Sequence, residues 1–326
     1  MPFFAKLKQK IHIFILLIVL CTMGSVIYNH LDELKQLPKL SIELYFFASL
    51  SLLLIIFSNG YIYDSLTQIP SSKLSFKESW HLAMGTSFGN LFGPPKSGLA
   101  LRAFILKKKG FPYPSYIALT LVVLILATAI QVSLASLSFC FMKAIPQELL
   151  KVFYLCIALS SLCFITLCLH RHIKKIHLKK FPFSQEISQA FSDIISRKRP
   201  LLKAIAFTVF NTLVGALFFY ILLDFFNSAL PFTHCLLIFS LSGLLTALAI
   251  TPGAIGFFEA PALFFSHVFH IPQGSMIACL IIYRMFELGL SLFFGGFSCT
   301  RFYRQGFNIM KKSVPDKKEI PHQALD

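Results

Sequence analysis

Long apolar runs separated by short polar, lysine-containing stretches set the pattern of this chain. The runs fall at Ile11–Tyr28, Ile42–Tyr63, Ser115–Met142, Leu149–Leu169, Leu201–Phe226, Phe232–Ile250 and Ser275–Phe297. About 20 apolar residues cross the hydrocarbon of a bilayer as a helix, so each is read as a membrane span. A further run, Ala254–Phe269, is short for a crossing. In lipid every backbone polar group must be satisfied within the protein, which favours helices over open strands. The first run follows Lys6, Lys8 and Lys10, like the start of a signal peptide. Its cleavage signal is poor and further spans follow, so it is read as an uncleaved anchor.

Two stretches interrupt this pattern, one in each half. Trp80–Phe92 is moderately apolar, is interrupted by Gly85, Gly89 and Asn90, and runs into Gly93-Pro94-Pro95. Thr251-Pro252-Gly253 separates Phe232–Ile250 from the short run. Broken helices persist in a membrane only where protein or water covers them. In secondary transporters, paired interruptions point to the substrate site. Both are equally compatible with kinks or helix caps. A helix is expected to restart near Ser97, with Lys96 and Arg102 beside its N-terminus, an arrangement that attracts anions.

Composition agrees with a bilayer. Hydrophobic residues make up 56% of the 326 positions and charged residues only 13%, too apolar for a soluble fold of this length. The net charge of +16 comes from Lys and Arg lying between the apolar runs and rarely inside them. That placement indicates membrane topology and anionic lipid rather than nucleic acid, for which no binding module is present. Placing the N-terminus, the loop His170–Pro200 and the tail 301–326 in the cytoplasm leaves four of 30 Lys and Arg outside: Lys35, Lys39, Lys143 and Lys151. Lys73, Lys77 and Lys107-Lys108-Lys109 then hold both flanks of Trp80–Phe92 inside, so this segment enters and returns. Ala254–Phe269 must cross, giving eight crossings and one re-entrant element. The expected fold is an all-α polytopic membrane helix bundle, about eight spans with a re-entrant or broken helix in each half. Residues 1–300 form the membrane domain.

Ionisable residues within apolar runs cost roughly 3 kcal/mol or more each at mid-membrane and need partners. Glu259 lies in the short run, and Arg284 and Glu287 in the last span, three apart on one face. They suit either a clamp between helices or a site where Arg284 binds an anionic headgroup and Glu259 tunes it. Asn211 and Gln131 are read as interhelical hydrogen-bond partners. His170, His172 and His177 belong to a lysine-rich loop at the membrane surface, and the eight cysteines have no CxxC pair, so no metal and no cofactor is expected.

At the two interruptions the chain resembles the lysylphosphatidylglycerol synthase transmembrane-region family. Asn90, Pro94, Lys96, Gly98 and Arg102 are similar to its Asn…Pro-x-(Arg/Lys)-x-Gly-(Asp/Glu)-x-x-Arg pattern. Residues Pro252-Gly253-Ala254-Ile255-Gly256-Phe257-Phe258-Glu259-Ala260 resemble its Pro-Gly-Gly-(Leu/Ile)-Gly-x-x-Glu-(Ala/Gly) pattern, and Tyr283-Arg284 its Tyr-Arg. Leu99 replaces the acidic residue after Gly98, which puts in doubt any mechanism needing a carboxylate there, and Ala254 replaces the second Gly, a mild departure.

The resemblance implies a membrane region that accompanies or moves charged lipids, without the soluble synthase domain. The leading expectation is a translocator for an anionic or aminoacylated phospholipid or a lipid-linked intermediate, in a bacterial-type inner membrane. Lys96, Arg102, Glu259 and Arg284 would meet the substrate. Asn90, Pro94, Gly98, Pro252, Gly253 and Gly256 would shape the breaks. The alternative is a membrane-embedded transferase, or an accessory subunit beside a lipid-synthesis enzyme. The sequence carries no DxD-like pair, P-loop, serine elbow or His-carboxylate metal motif.

Overall fold

The computed structural model describes residues 41–67, 74–92, 96–142, 145–169, 182–248 and 251–300, with isolated positions between 24 and 38. Most of the Ile11–Tyr28 span, Pro94, the loop 170–181 and the tail 301–326 lie outside the described residues. Those described form ten α-helices and no strand. They are α1 Ile42–Leu66, α2 Phe76–Phe92, α3 Ser97–Lys108, α4 Tyr113–Cys140, α5 Gln147–Cys168, α6 Pro182–Ser196, α7 Lys198–Phe225, α8 Phe232–Leu248, α9 Glu259–Val268 and α10 Gln273–Leu290. A π-helical turn at Ser291–Gly295 carries the last helix on to Thr300. The protein is a polytopic helical membrane bundle, and among the described residues α1, α4, α5, α7 and α10 with its extension are long and apolar enough to cross.

Each helix begins and ends for local reasons. Ser41 caps α1 by accepting from the Leu44 amide at 3.3 Å. At the start of α2, Glu78 accepts from the Ser75 amide at 3.0 Å while the Ser75 hydroxyl accepts from the Glu78 amide at 3.3 Å, a reciprocal cap. Pro112 and Pro272 precede α4 and α10, where a missing N–H costs nothing.

Packing is centred on α1 and α7, which lie side by side. Asn211 of α7 donates to the Ile55 carbonyl of α1 at 3.0 Å, the interhelical role read for it in the sequence. Gly243 of α8 sits where a Cβ would fall 2.5 Å from the Gln131 amide nitrogen, so α8 packs closely on α4. Helix α5 touches the bundle mainly through α4 and buries Leu149, Cys156 and Cys163, one residue every seven. Many of its other apolar side chains, among them Tyr154, Leu155 and Phe164, face outward as lipid-exposed residues would, while Val152, Phe153 and Leu159 pack against the core.

Two elements differ from the sequence expectation. Helix α6 lies in the basic loop, and its buried Phe191, Ile194 and Ile195 dock it on α4 and its neighbours. That stripe recurs at helical spacing but is too short and polar to be a span. The second difference is the start of the short run. The helix begins at Glu259, not Ala254, because Gly253, Ala254 and Gly256 take φ of 61°, 56° and 89°. These values are incompatible with a right-handed helix. At 1.5 Å per residue the ten residues of α9 reach about 15 Å, half of a 30 Å hydrocarbon core.

Candidate functional site

The first interruption is a tight helical hairpin. Helix α2 ends at Phe92, Lys96 takes a left-handed conformation with φ 61°, and α3 starts at Ser97 as the sequence suggested. Asn90 caps the returning helix, its side-chain oxygen accepting from the Gly98 amide at 3.0 Å. Gly98 is required by space: a Cβ there would lie 2.0 Å from the Thr86 carbonyl oxygen. Gly89 faces it, with a Cβ position 2.9 Å from the Gly98 Cα.

The second interruption is held by charge. Pro252–Ala254 form a 3₁₀ turn, and the Thr251 hydroxyl donates to the Ile255 carbonyl at 2.8 Å. Glu259, 2% exposed, folds back so that one carboxylate oxygen accepts from the Gly256 amide at 2.7 Å. Its other oxygen accepts from Arg284 Nε at 2.6 Å. Arg284 Nη1 donates to the Gly253 carbonyl at 2.9 Å and to Glu287 at 2.7 Å, and Nη2 to the Ala254 carbonyl at 3.4 Å. Phe258 stacks on Tyr283, with ring centroids 4.6 Å apart, and lies under the guanidinium. One arginine thus joins a carboxylate from each of two helices to the carbonyls of a left-handed turn. Two carboxylates share one guanidinium.

The two interruptions, more than 150 residues apart in the chain, meet. A Cβ on Gly253 would come within 2.7 Å of Leu91 Cδ2. Lys96 Nζ donates to the Ala247 carbonyl at 3.5 Å. Between them lies a cleft of about 160 Å³. Ser87, Asn90 and Lys96 line it from the first hairpin, Thr246 and Thr251 from the second, and Glu287 from α10. A cavity of about 150 Å³ admits benzene, so this cleft takes a headgroup fragment rather than a whole lipid.

The predicted residues divide accordingly. Lys96, Asn90 and Gly253 border the cleft, and Glu259, Arg284 and Gly256 build its wall from behind. The backbone of Pro252 belongs to the same turn. Arg102 is placed elsewhere: it is 4% exposed, lies 3.7 Å over the Tyr63 ring, and donates through Nε to the Thr86 hydroxyl at 3.2 Å. Its Nη1 has no hydrogen-bond partner among the described residues. Leu99 stands one turn before it, so α3 offers no carboxylate at that position. The sequence reading passed over Ser87 and Thr246, and named Thr251 only as the start of the second interruption. Thr251 alone carried a local sign, since it opens the Pro-Gly turn. Among the described residues no group of His, Cys, Asp and Glu is arranged to hold a metal.

A bundle of apolar helices, two of them interrupted, with a charged cleft where the interruptions meet, defines a multi-pass membrane protein. The family model of the lysylphosphatidylglycerol synthase TM region matches residues 11–295, and the chain belongs to that family. Comparison with curated proteins gives no match, and comparison with solved structures gives none.

Proposed function

We propose that the protein translocates a lipid bearing a charged headgroup, an anionic or aminoacylated phospholipid or a lipid-linked intermediate, across a bacterial-type inner membrane. In this reading both termini are cytoplasmic. The observation that carries it is the cleft between the two interruptions, lined by a cation, Lys96, and an anion, Glu287. A charged headgroup crossing hydrocarbon needs such a lining, because an unpaired charge at mid-membrane is expensive. Lys96 meets the phosphate or carboxylate and Glu287 the amine, if one is present. Arg284, expected from the sequence to hold phosphate, has its guanidinium occupied by two carboxylates and two carbonyls. Its role here is to fix the shape of the second turn. Arg102 acts at a distance from the cleft, supporting α3 against Tyr63.

The test is comparative lipid extraction with leaflet-selective labelling in cells carrying the wild-type chain, Lys96→Gln, or no gene. We expect one charged lipid to shift its sidedness, with its total constant, both in the deletion and in Lys96→Gln. A change in the total amount or in the headgroup itself would replace this reading with the alternative, a membrane transferase or a partner of a lipid-synthesis enzyme. Unchanged sidedness in the deletion would remove translocation altogether.

A further inference from the structure

We infer that residues 42–140 and 198–300 are two copies of one four-helix unit inserted in opposite senses, so that α8 and α9 dip into the membrane from the outer face and meet the α2–α3 hairpin tip to tip. This goes beyond the proposed function and stands whether or not a lipid is moved.

Element order and length support the repeat. Each unit has a long helix, a 17-residue helix, an interruption, a short returning helix and a long final helix. The returning helices have 12 and 10 residues. The final helices, Tyr113–Cys140 and Gln273–Thr300, have 28 each.

The turn after the returning helix repeats in detail. Gly110 and His270 both take positive φ, 82° and 54°. The Gly110 amide donates to the Lys107 carbonyl at 3.0 Å, and the His270 amide to the His267 carbonyl at 3.2 Å. The Phe111 amide reaches back to Leu106 at 3.0 Å, and the Ile271 amide to Ser266 at 2.8 Å. Phe111 and Ile271 are both buried, and Pro112 and Pro272 then cap the final helices. This C-terminal motif also ends α7, at Asn227 and Ser228, but among the described residues only these two ends run straight into a helix-capping proline, on sequences, Lys-Gly-Phe-Pro and Phe-His-Ile-Pro, that share only that proline.

Packing repeats as well. Exchanging α1 with α7, α2 with α8, α3 with α9 and α4 with α10 maps most helix contacts within and between the two units onto one another, although α7 touches α10 more closely than α1 touches α4. Helices α1 and α7 pair with each other. The contact of α2 with the π turn of α10 answers that of α8 with α4, and the contact of α1 with α10 answers that of α7 with α4. The units differ in the second interruption, which is longer and holds the Arg284 clamp.

The opposite sense follows from counting and from charge. Three spans, α4, α5 and α7, separate the two hairpins, so their mouths lie on opposite faces. Lys77 and Lys107-Lys108-Lys109 lie at the first mouth, whereas residues 226–231 and 269–272 at the second contain no Lys or Arg. Depth agrees: 17 residues reach about 25 Å and 10 about 15 Å, short of a 30 Å core, and the Leu91–Gly253 and Lys96–Ala247 contacts join the tips. A full crossing by α8 would instead put Gly253 at the cytoplasmic surface. Opposed units of this kind can exchange conformations, so that a cleft open to one face becomes open to the other.

The test is cysteine accessibility in intact cells. Single cysteines are placed at Lys108, Ala229, His270 and Ile255 in a chain whose native cysteines are replaced. They are probed with a membrane-impermeant maleimide and with a polyethylene-glycol maleimide too bulky for the cleft. We expect Ala229→Cys and His270→Cys to label from outside, Lys108→Cys only after permeabilisation, and Ile255→Cys to resist the bulky reagent from both faces. Bulky labelling of Ile255→Cys from the cytoplasmic face would show that α8 crosses and overturn the inference. Labelling of Ala229→Cys from the same face as Lys108→Cys would show units in the same sense and overturn it too. If replacing the native cysteines unfolds the protein, a protease site inserted after Ala229 in the otherwise native chain gives the same decision: cleavage by external protease supports the inversion, and protection until permeabilisation refutes it.

Discussion

Removing the Arg284 charge should cost more than removing either of its carboxylate partners, and the order follows from what each change leaves behind. Arg284→Gln strands Glu259, 2% exposed, beside Glu287 with no cation between them. Breaking a buried pair in this way costs about 3–5 kcal/mol, with protonation of one carboxylate limiting the loss. Glu259→Gln keeps an oxygen for the Gly256 amide and leaves Arg284 paired with Glu287, so about 2 kcal/mol is expected, the worth of a charge-assisted hydrogen bond. Glu287→Gln loses one contact at a side chain 28% exposed, for about 1 kcal/mol or less. The assay is reversible denaturant unfolding in detergent, followed by the fluorescence of Trp80, the single tryptophan, which packs on Phe57. A double-mutant cycle for Glu259→Gln with Arg284→Gln should return a coupling of about 2 kcal/mol. Equal losses for Arg284→Gln and Glu287→Gln, or a coupling near zero, would refute the clamp.

Three further outcomes are expected. Gly98→Ala should destabilise the first hairpin by about 3 kcal/mol or prevent its assembly, since the new methyl meets the Thr86 carbonyl at 2.0 Å, while Gly289→Ala, with nothing within 4 Å, should be neutral in the same unfolding assay. Ala254→Gly should stabilise by about 0.5 kcal/mol, because relief of the left-handed strain at φ 56° outweighs the extra freedom of glycine when unfolded; a lower melting temperature would contradict this. At the mouth of the first hairpin, burial raises the Glu78 carboxyl, but Lys109 and the Ser75 amide and hydroxyl outweigh it and hold it below its ordinary 4.5. A depressed acid stabilises above its unfolded value and loses that contribution as pH falls through the folded one, so the decline in stability below pH 4.5 should be shallower in Glu78→Gln than in the wild type.

The Ala254 position also shows where a sequence comparison underrates a departure. Alanine for glycine looks mild when only size is considered. The structure puts that residue at positive φ, with its carbonyl accepting from Arg284. Two supporting glycines, Gly98 and Gly253, were legible as break-shaping residues, and the structure gives each a specific obstacle, the Thr86 carbonyl and the Leu91 side chain.

By itself the sequence determined the membrane, the helices and the places where they break. Hydropathy is a local property, so runs such as Phe232–Ile250 and Ser275–Phe297 were legible within a few residues of α8 and α10. The breaks were legible because Gly-Pro-Pro and Pro-Gly leave backbone groups that only a special environment satisfies. The charges Glu259 and Arg284 were legible because lipid makes them expensive. Tertiary structure decided which of these residues meet. Lys96 reaches Ala247 and Leu91 touches Gly253 because two hairpins pack tip to tip, a relation that no window of sequence contains. Only folding sent Arg102 to Tyr63, since a buried guanidinium goes wherever an aromatic face and a hydroxyl are offered together. Only folding revealed the likeness of the two halves, because the shared turn and packing rest on backbone conformation, which different side chains can satisfy equally well.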